Sequence, residues 1–415
     1  MTTPRLVVTV NGPGELTGWG RPFVRAVYAQ APDARISIVF VPCPYATGRE
    51  ADTAQHFFPQ ATVVPPREYA GFLMGRSVEG MERGRGALQY LGGDLYHART
   101  ISKRIGLAAM TYKFSRRSYA HAFERFFALD ERNAQELRNC GAPPDRVRIV
   151  GNLVPDSVLD SLEEPPLPPD RAGSICVFPG SRPPELRALL PFFLDAALQV
   201  MRARPGVRGS VTISPFSTDE EIQTSLRSPD PAFGGVRGEL VDGGQTIAVD
   251  GARFSVDRSE SYRALAQAAL VIGTPGTKTI EAAVLGRPML VVLPMNRLDE
   301  AVMPGLVGYL HRVPVIGARI KTWLGRKIVR RFRFVAQPNI DAGRQVVPEM
   351  IGILKPADIA AAAEGMLARP EALRDAGEAL RALYAADVGA AKRMAVQVLE
   401  VTARAMQGSR AEAAS

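Results

Sequence analysis

Cysteine and histidine are scarce in this chain. Cys43, Cys140 and Cys176, with His56, His97, His121 and His311, are scattered and share no ligand spacing. A zinc site and a paired-cysteine redox centre are therefore not expected, and free thiols in a reducing compartment are. No apolar run approaches the ~20 residues that span a bilayer. The start goes directly into the apolar run Leu6–Val10, without a basic segment, long apolar core or cleavage site, so no signal peptide is expected. No Asp-x-Asp pair stands where a metal-dependent sugar transferase needs one, and no bound metal is expected. Helix-turn-helix, zinc-finger and RNP-like patterns are missing, so no nucleic-acid partner is expected.

Acidic residues are missing from one long stretch. Between Ala301 and Ile340 there are eight Lys or Arg and no Asp or Glu, in a chain of net charge +9. Trp323, Leu324, Ile328, Val329, Phe332 and Phe334 are interleaved with these cations. A second basic cluster holds Arg99, Lys103, Arg104, Lys113, Arg116, Arg117 and Arg125, with Glu124 as its one acid. Cations beside apolar and aromatic residues suit an anionic membrane surface, so segments 99–125 and 312–333 are its candidate docking elements. A solvated basic face remains the plainer alternative.

Of what is present, Leu270–Pro294 is the most informative stretch. The apolar run Leu270–Gly273 enters a loop, Thr274-Pro275-Gly276-Thr277, then a helix carrying Glu281; Gly286 ends that helix before a second apolar run from Met289. Strand, loop, helix and strand in this order mark a parallel α/β sheet, whose ligands bind beyond the carboxyl ends of the strands. Gly273 and Gly276 let backbone N–H groups approach an anion. Thr274, Thr277 and Thr279 offer hydroxyls, and Glu281 suits a ribose diol. A tight connection with a solvated glutamate is the alternative.

Two domains fit 415 residues. In the first, Val7–Val10 leads through a Gly-rich loop, Asn11–Gly20, into a helix from Pro22 to Gln30 and a strand from Ile36 to Val41. The segment does not match the dinucleotide-binding fingerprint Gly-x-Gly-x-x-Gly. Leu88–Leu91 reads as a strand ending in Gly92-Gly93-Asp94, where Asp94 is either a helix N-cap or a catalytic base. Pro165, Pro166, Pro168 and Pro169 make an extended spacer. Beyond it, strand Ser174–Phe178 enters Pro179-Gly180-Ser181-Arg182 and a helix opened by Pro183 and Pro184. An arginine beside a helix start suits a phosphate. Glu239–Val256 reads as a β-hairpin excursion, and the chain closes with Ala-rich helices.

Val177–Arg182, Gly273–Thr277 with Glu281–Met289, and Pro338-Asn339-Ile340 with Ala342-Gly343-Arg344 and Val347-Pro348-Glu349 occur in that order. Together they resemble the C-terminal half of lipid-A-disaccharide synthases, over roughly residues 174–370. The resemblance implies an α/β GT-B fold, two Rossmann-like doubly wound domains facing across a cleft. It implies an acceptor domain over 1–164, a nucleotide-sugar domain over 172–388, and a C-terminal helix, 389–415, returning to the first. It also implies a UDP-sugar donor, no cofactor, and a lipid or glycolipid acceptor. Gly180, Ser181, Arg182, Gly273, Thr274, Gly276 and Thr277 would hold the pyrophosphate. Glu281 would hold the ribose, and Asn339, Arg344 and Glu349 would flank the nucleotide or sugar. Asp94 would be the general base, with Glu15 as second choice. A cytoplasmic protein, peripheral at the inner face of the cytoplasmic membrane, is the expected setting. Oligomeric state is not legible.

The N-terminal half departs from the pattern. The family's Gly-Glu-Ala-Ser-Gly-Asp loop stands here as Gly14-Glu15-Leu16-Thr17-Gly18-Trp19, and the Trp-rich acceptor segment is missing near Tyr112–Ser118. A different acceptor is therefore expected. A UDP-sugar epimerase or hydrolase on the same scaffold, and a non-catalytic nucleotide-sugar-binding protein at a membrane, stay open.

Overall fold

The computed structural model describes residues 3–43, 48–169, 173–180, 182–258, 261–296 and 333–407. The chain forms two compact units, Met1–Asp160 with Ala386–Ser415, and Ser161–Ala385. The proline-rich segment lies in the second unit, where Leu167 N–H donates to Ala266 O at 3.2 Å and Arg263 pairs with Glu163 at 2.8 Å.

The first unit is built on seven strands: β1 (Arg5–Val10), β2 (Arg35–Phe40), β3 (Thr62–Val64), β4 (Ala87–Tyr90), β5 (Ala108–Tyr112), β6 (Arg125–Ala128) and β7 (Val147–Ile149). They pair in parallel in the order β3-β2-β1-β4-β5-β6-β7. Their near-continuous apolar runs follow from burial of both faces beneath crossover helices. The order reverses beside β1, so the ends of β1 and β4 form a crevice of the kind that binds ligands in open α/β sheets. The Gly-rich segment expected as a loop is instead helical. Pro13–Glu15 is followed by a π-helical turn, Leu16–Gly20, which continues into α1 (Arg21–Gln30). Phe23, Val24 and Val27 bury the inner face of α1. The C-terminal helix Ala390–Gln407 belongs to this unit. Asp156 fixes its start, accepting from Gly389 N–H and Ala391 N–H at 2.6 Å each.

The second unit has eight strands: β8 (Ser174–Phe178), β9 (Arg208–Thr212), β10 (Glu239–Val241), β11 (Thr246–Val249), β12 (Ala252–Asp257), β13 (Leu270–Gly273), β14 (Met289–Pro294) and β15 (Glu349–Gly352). Their order is β10-β11-β12-β9-β8-β13-β14-β15. The expected excursion at Glu239–Val256 is part of this sheet. β12 pairs in parallel with β9, while β10 and β11 pair antiparallel at the edge. Asp250 and Gly251, both with positive φ, make the tight turn between β11 and β12. Against the sheet packs the 21-residue helix Pro183–Ala203, whose Phe192 and Phe193 are fully buried with Ile175 and Val177. Each such phenylalanine contributes about 1.5–3 kcal/mol by leaving water.

Candidate functional site

In the second unit β8 and β13 are parallel neighbours, and Phe178 lies opposite Gly273 at their carboxyl ends. The loops that follow, 179–182 and 274–276, therefore emerge side by side. Gly273 has no room for a Cβ because the Phe178 ring fills that space. Gly276 has φ 147°, a conformation that suits glycine, and precedes α2 (Thr277–Val284) without giving it a side-chain cap. Thr279 N–H donates to Gly276 O at 3.0 Å, so the backbone N–H groups of Thr277 and Lys278 are the ones left for another acceptor. Gly276 and Thr277 are exposed and Thr274 is half-buried. Thr279 is taken, because its buried hydroxyl donates to Gly276 O at 2.7 Å.

Arg182 is the N-cap residue of the helix Pro183–Ala203, and Ser181 lies outside the described residues. Pro183 and Pro184 occupy the first turn of that helix and carry no N–H. The helix start is hence poorer in donors than expected, and the cation of this loop is the Arg182 guanidinium. It lies 3.2 Å from Glu185 Oε1, and both side chains are about a third exposed. Gly180, at φ 103°, leaves space that the Glu185 side chain fills.

Glu281 is nearly buried, with 6% of its surface exposed. Its Oε2 is 2.6 Å from Nζ of Lys278, one helical turn earlier. Lys278 lies over the Tyr262 ring at 5.1 Å, and Tyr262 itself is held at φ 54°. Burial works against the ammonium, but the charge of Glu281, with Tyr262 and Asp257, outweighs it and raises the Lys278 pKa. Lys278 was not among the expected site residues. Its signal was the three-residue spacing from Glu281 on one helix.

Asn339 and Glu349 have other work than the expected contact with nucleotide. Asn339 is fully buried; its amide donates to Val347 O at 2.9 Å and Glu349 Oε1 at 2.7 Å. Its oxygen accepts from Val346 N–H and Val347 N–H. That is the full capacity of a primary amide. Glu349 also accepts from Val335 N–H and Ala336 N–H. The two residues tie the start of helix Gln337–Ala342 to β15 and leave no amide group for a ligand. Arg344 is exposed in the loop between them.

In the first unit β1 and β4 are neighbours, and their ends bring Glu15 and Asp94 to one region. Asp94 is exposed and caps the helix Leu95–Ile105, accepting from Tyr96 N–H at 2.8 Å. Glu15 packs over Gly92, whose missing side chain gives it room. Tyr90 lies between them and donates to Gly93 O at 2.6 Å. Burial, and then the negative charges of Glu15 and Asp94, raise the Tyr90 pKa. His97 Nδ1 is 2.8 Å from Tyr69 Oη, and burial lowers its pKa despite Asp94. Asn11 Oδ1 is buried with no hydrogen-bond partner among the described residues. Trp19, standing where the family pattern has an acid, meets Tyr112 edge-on at 5.7 Å, with Lys113 Nζ 5.4 Å from its ring centre.

Two α/β units of this topology define a GT-B protein. The fold is shared with the UDP-GlcNAc 2-epimerase of Neisseria meningitidis bound to UDP-GlcNAc, at TM-score 0.53 and 13% identity over 95% of this chain and 99% of that one. It is shared also with CalG4, the calicheamicin glycosyltransferase, at TM-score 0.50 and 13% identity over 97% and 99%. By sequence the chain is similar to the lipid-A-disaccharide synthase of Anaeromyxobacter sp. (strain K), 32% identical over 238 residues, 57% of this chain and 51% of that protein. The chain thus spans about half the length of the curated relatives it matches. No family model matches it.

Proposed function

We propose that this protein is a glycosyltransferase moving a hexosyl or N-acetylhexosaminyl group from a UDP-sugar to a hydroxyl of a lipid or glycolipid acceptor. The observation that carries the reading is the pairing of β8 with β13, which sets Arg182 and the Gly273–Thr277 loop on adjacent strand ends with Glu281 one turn beyond. Arg182, Gly180 and the open N–H groups at the start of α2 meet the diphosphate, and Glu281 meets the ribose. Arg344, exposed in the loop before β15, is assigned to the donor as well.

In the proposed reaction a carboxylate, Asp94 or Glu15, takes the acceptor hydroxyl proton. The acceptor oxygen bonds to the anomeric carbon as the bond from that carbon to the diphosphate oxygen breaks, and configuration inverts. The electron pair leaves on UDP, where Arg182 and the loop N–H groups stabilise the growing charge. This arrangement needs no divalent ion. Trp19, Phe114 and Lys113 offer an apolar and cationic surface to the acceptor.

Membrane docking is part of the same reading. In the first unit Arg99 and Arg116 lie over the Tyr119 ring at 5.5 and 5.2 Å, and Met74, Tyr96 and Phe114 are exposed. Cations with exposed apolar groups suit an anionic lipid surface on the cytoplasmic side. The second basic segment, 312–333, lies outside the described residues except for Arg333. No helix among the described residues is long and apolar enough to cross a membrane.

Calorimetry with UDP, with and without Mg²⁺, tests the donor assignment. Metal-free binding that weakens in Arg182→Ala is expected. A chain that binds no UDP, GDP or dTDP species would overturn it. Turnover of free UDP-sugar without acceptor would favour the epimerase or hydrolase reading instead.

A further inference from the structure

Resting on the donor reading above, we infer that Lys278 and Glu281 act together as a clamp for a cis-diol, making the site select ribonucleotides over 2′-deoxyribonucleotides. A vicinal diol presents two kinds of atom, hydroxyl hydrogens that need acceptors and oxygens that accept donors. A carboxylate alone serves only the first. The Lys278–Glu281 pair serves both. Oε2 of Glu281 is occupied by Lys278 at 2.6 Å, while Oε1 accepts from no group among the described residues. Nζ of Lys278 makes that one hydrogen bond, which leaves two of its three N–H donors.

The pair is also held rigid. Lys278 rests on the face of Tyr262, and Tyr262 is buried with its backbone in the left-handed region. Glu281 has 8% of its side-chain surface exposed, against 33% for Lys278, so the cation is the more open partner. Both stand on the first two turns of α2, two and five residues beyond Gly276 of the loop assigned to the diphosphate. That placement puts the diol partner within one nucleoside's reach of the phosphate donors. A site built to hydrogen-bond a hydroxyl discriminates strongly against an analogue lacking it, because its buried polar groups are then left unpaired.

The test compares UDP with 2′-deoxy-UDP by calorimetry on the full chain, in the wild type and in Lys278→Met, Lys278→Gln and Lys278→Arg. Wild type is expected to prefer UDP by about tenfold or more. In Lys278→Met and Lys278→Gln the preference should fall to about threefold or less, mainly through weaker UDP binding, and Lys278→Arg should restore part of it. A preference unchanged in the folded Met or Gln variant would overturn the clamp, as would equal losses for both nucleotides. Wild type binding neither nucleotide would remove the donor reading itself, an outcome distinct from loss of the preference alone.

Discussion

Gly273 and Phe178 face each other across β13 and β8, and the Phe178 ring occupies the space that a Cβ on Gly273 would need. This close approach brings the loops 179–182 and 274–276 together at the strand ends. Gly273→Ala should therefore destabilise the chain by about 1–3 kcal/mol through overpacking. Urea denaturation measures this, and adding Phe178→Leu should recover part of the loss. An undiminished midpoint in Gly273→Ala would contradict the packing.

Arg182 is about a third exposed, and its pairing with Glu185 has little weight in stability, about 0.2–1 kcal/mol for a pair of that kind. Its value is expected in binding. Arg182→Ala should weaken UDP about tenfold or more, while the thermal midpoint stays nearly fixed. Glu185→Gln should hold or strengthen UDP binding, because it removes a charge that competes with the diphosphate for the guanidinium. Titration calorimetry on both variants reads the difference.

Asn339 and Glu349 give the opposite pattern. Removing the Asn339 amide breaks four hydrogen bonds, the two to Val347 fully buried, so Asn339→Ala should cost about 2–4 kcal/mol of stability. UDP affinity of the protein that remains folded should hardly change. A stable variant with weakened UDP binding would return Asn339 to the binding site.

For Asp94 and Glu15, isosteric changes separate chemistry from structure. Asp94→Asn keeps an N-cap side chain for Tyr96 N–H, so stability should move by less than about 0.5 kcal/mol. If Asp94 is the base, turnover should drop by about 10²–10⁴-fold with UDP binding intact. If Glu15→Gln gives that drop instead, the proton goes to Glu15.

His97 sets an acid-side dependence. Burial holds its native pKa below the ordinary 6.5, although Asp94 pulls the other way. As the pH falls, the unfolded chain takes up the proton before the native chain does. The stability linked to His97 is thus complete above about 6.5 and is lost as the pH falls from there towards the native value. Denaturation midpoints of wild type and His97→Gln, measured between pH 7.5 and about 5, should converge as the pH drops.

Much of the sheet was legible because parallel strands buried on both faces leave unbroken apolar runs. Leu6–Val10, Ser174–Phe178, Leu270–Gly273 and Met289–Pro294 all stand where those runs predict. Helix starts were legible where prolines mark the first turn, as at Pro183 and Pro356. Asn11–Gly20 misled, since glycines usually signal a loop, yet here they line a π-helical turn. At Glu239–Val256 the antiparallel turns were legible, but a hairpin's local pattern does not say whether its last strand, β12, joins a larger sheet.

The sequence by itself determined the α/β class, the proline segment, the Gly-Thr-Pro loop and the family pattern, since each is written in neighbouring residues. Only the tertiary structure decided which polar side chains keep capacity for a ligand. Asn339 spends its whole amide on Val346, Val347 and Glu349, whereas Glu281 keeps one oxygen and Lys278 keeps donors. The reason is physical. A polar atom's remaining valence depends on how the chain folds back around it, as the turn between helix Gln337–Ala342 and β15 does around Asn339, and residue identity alone does not show this.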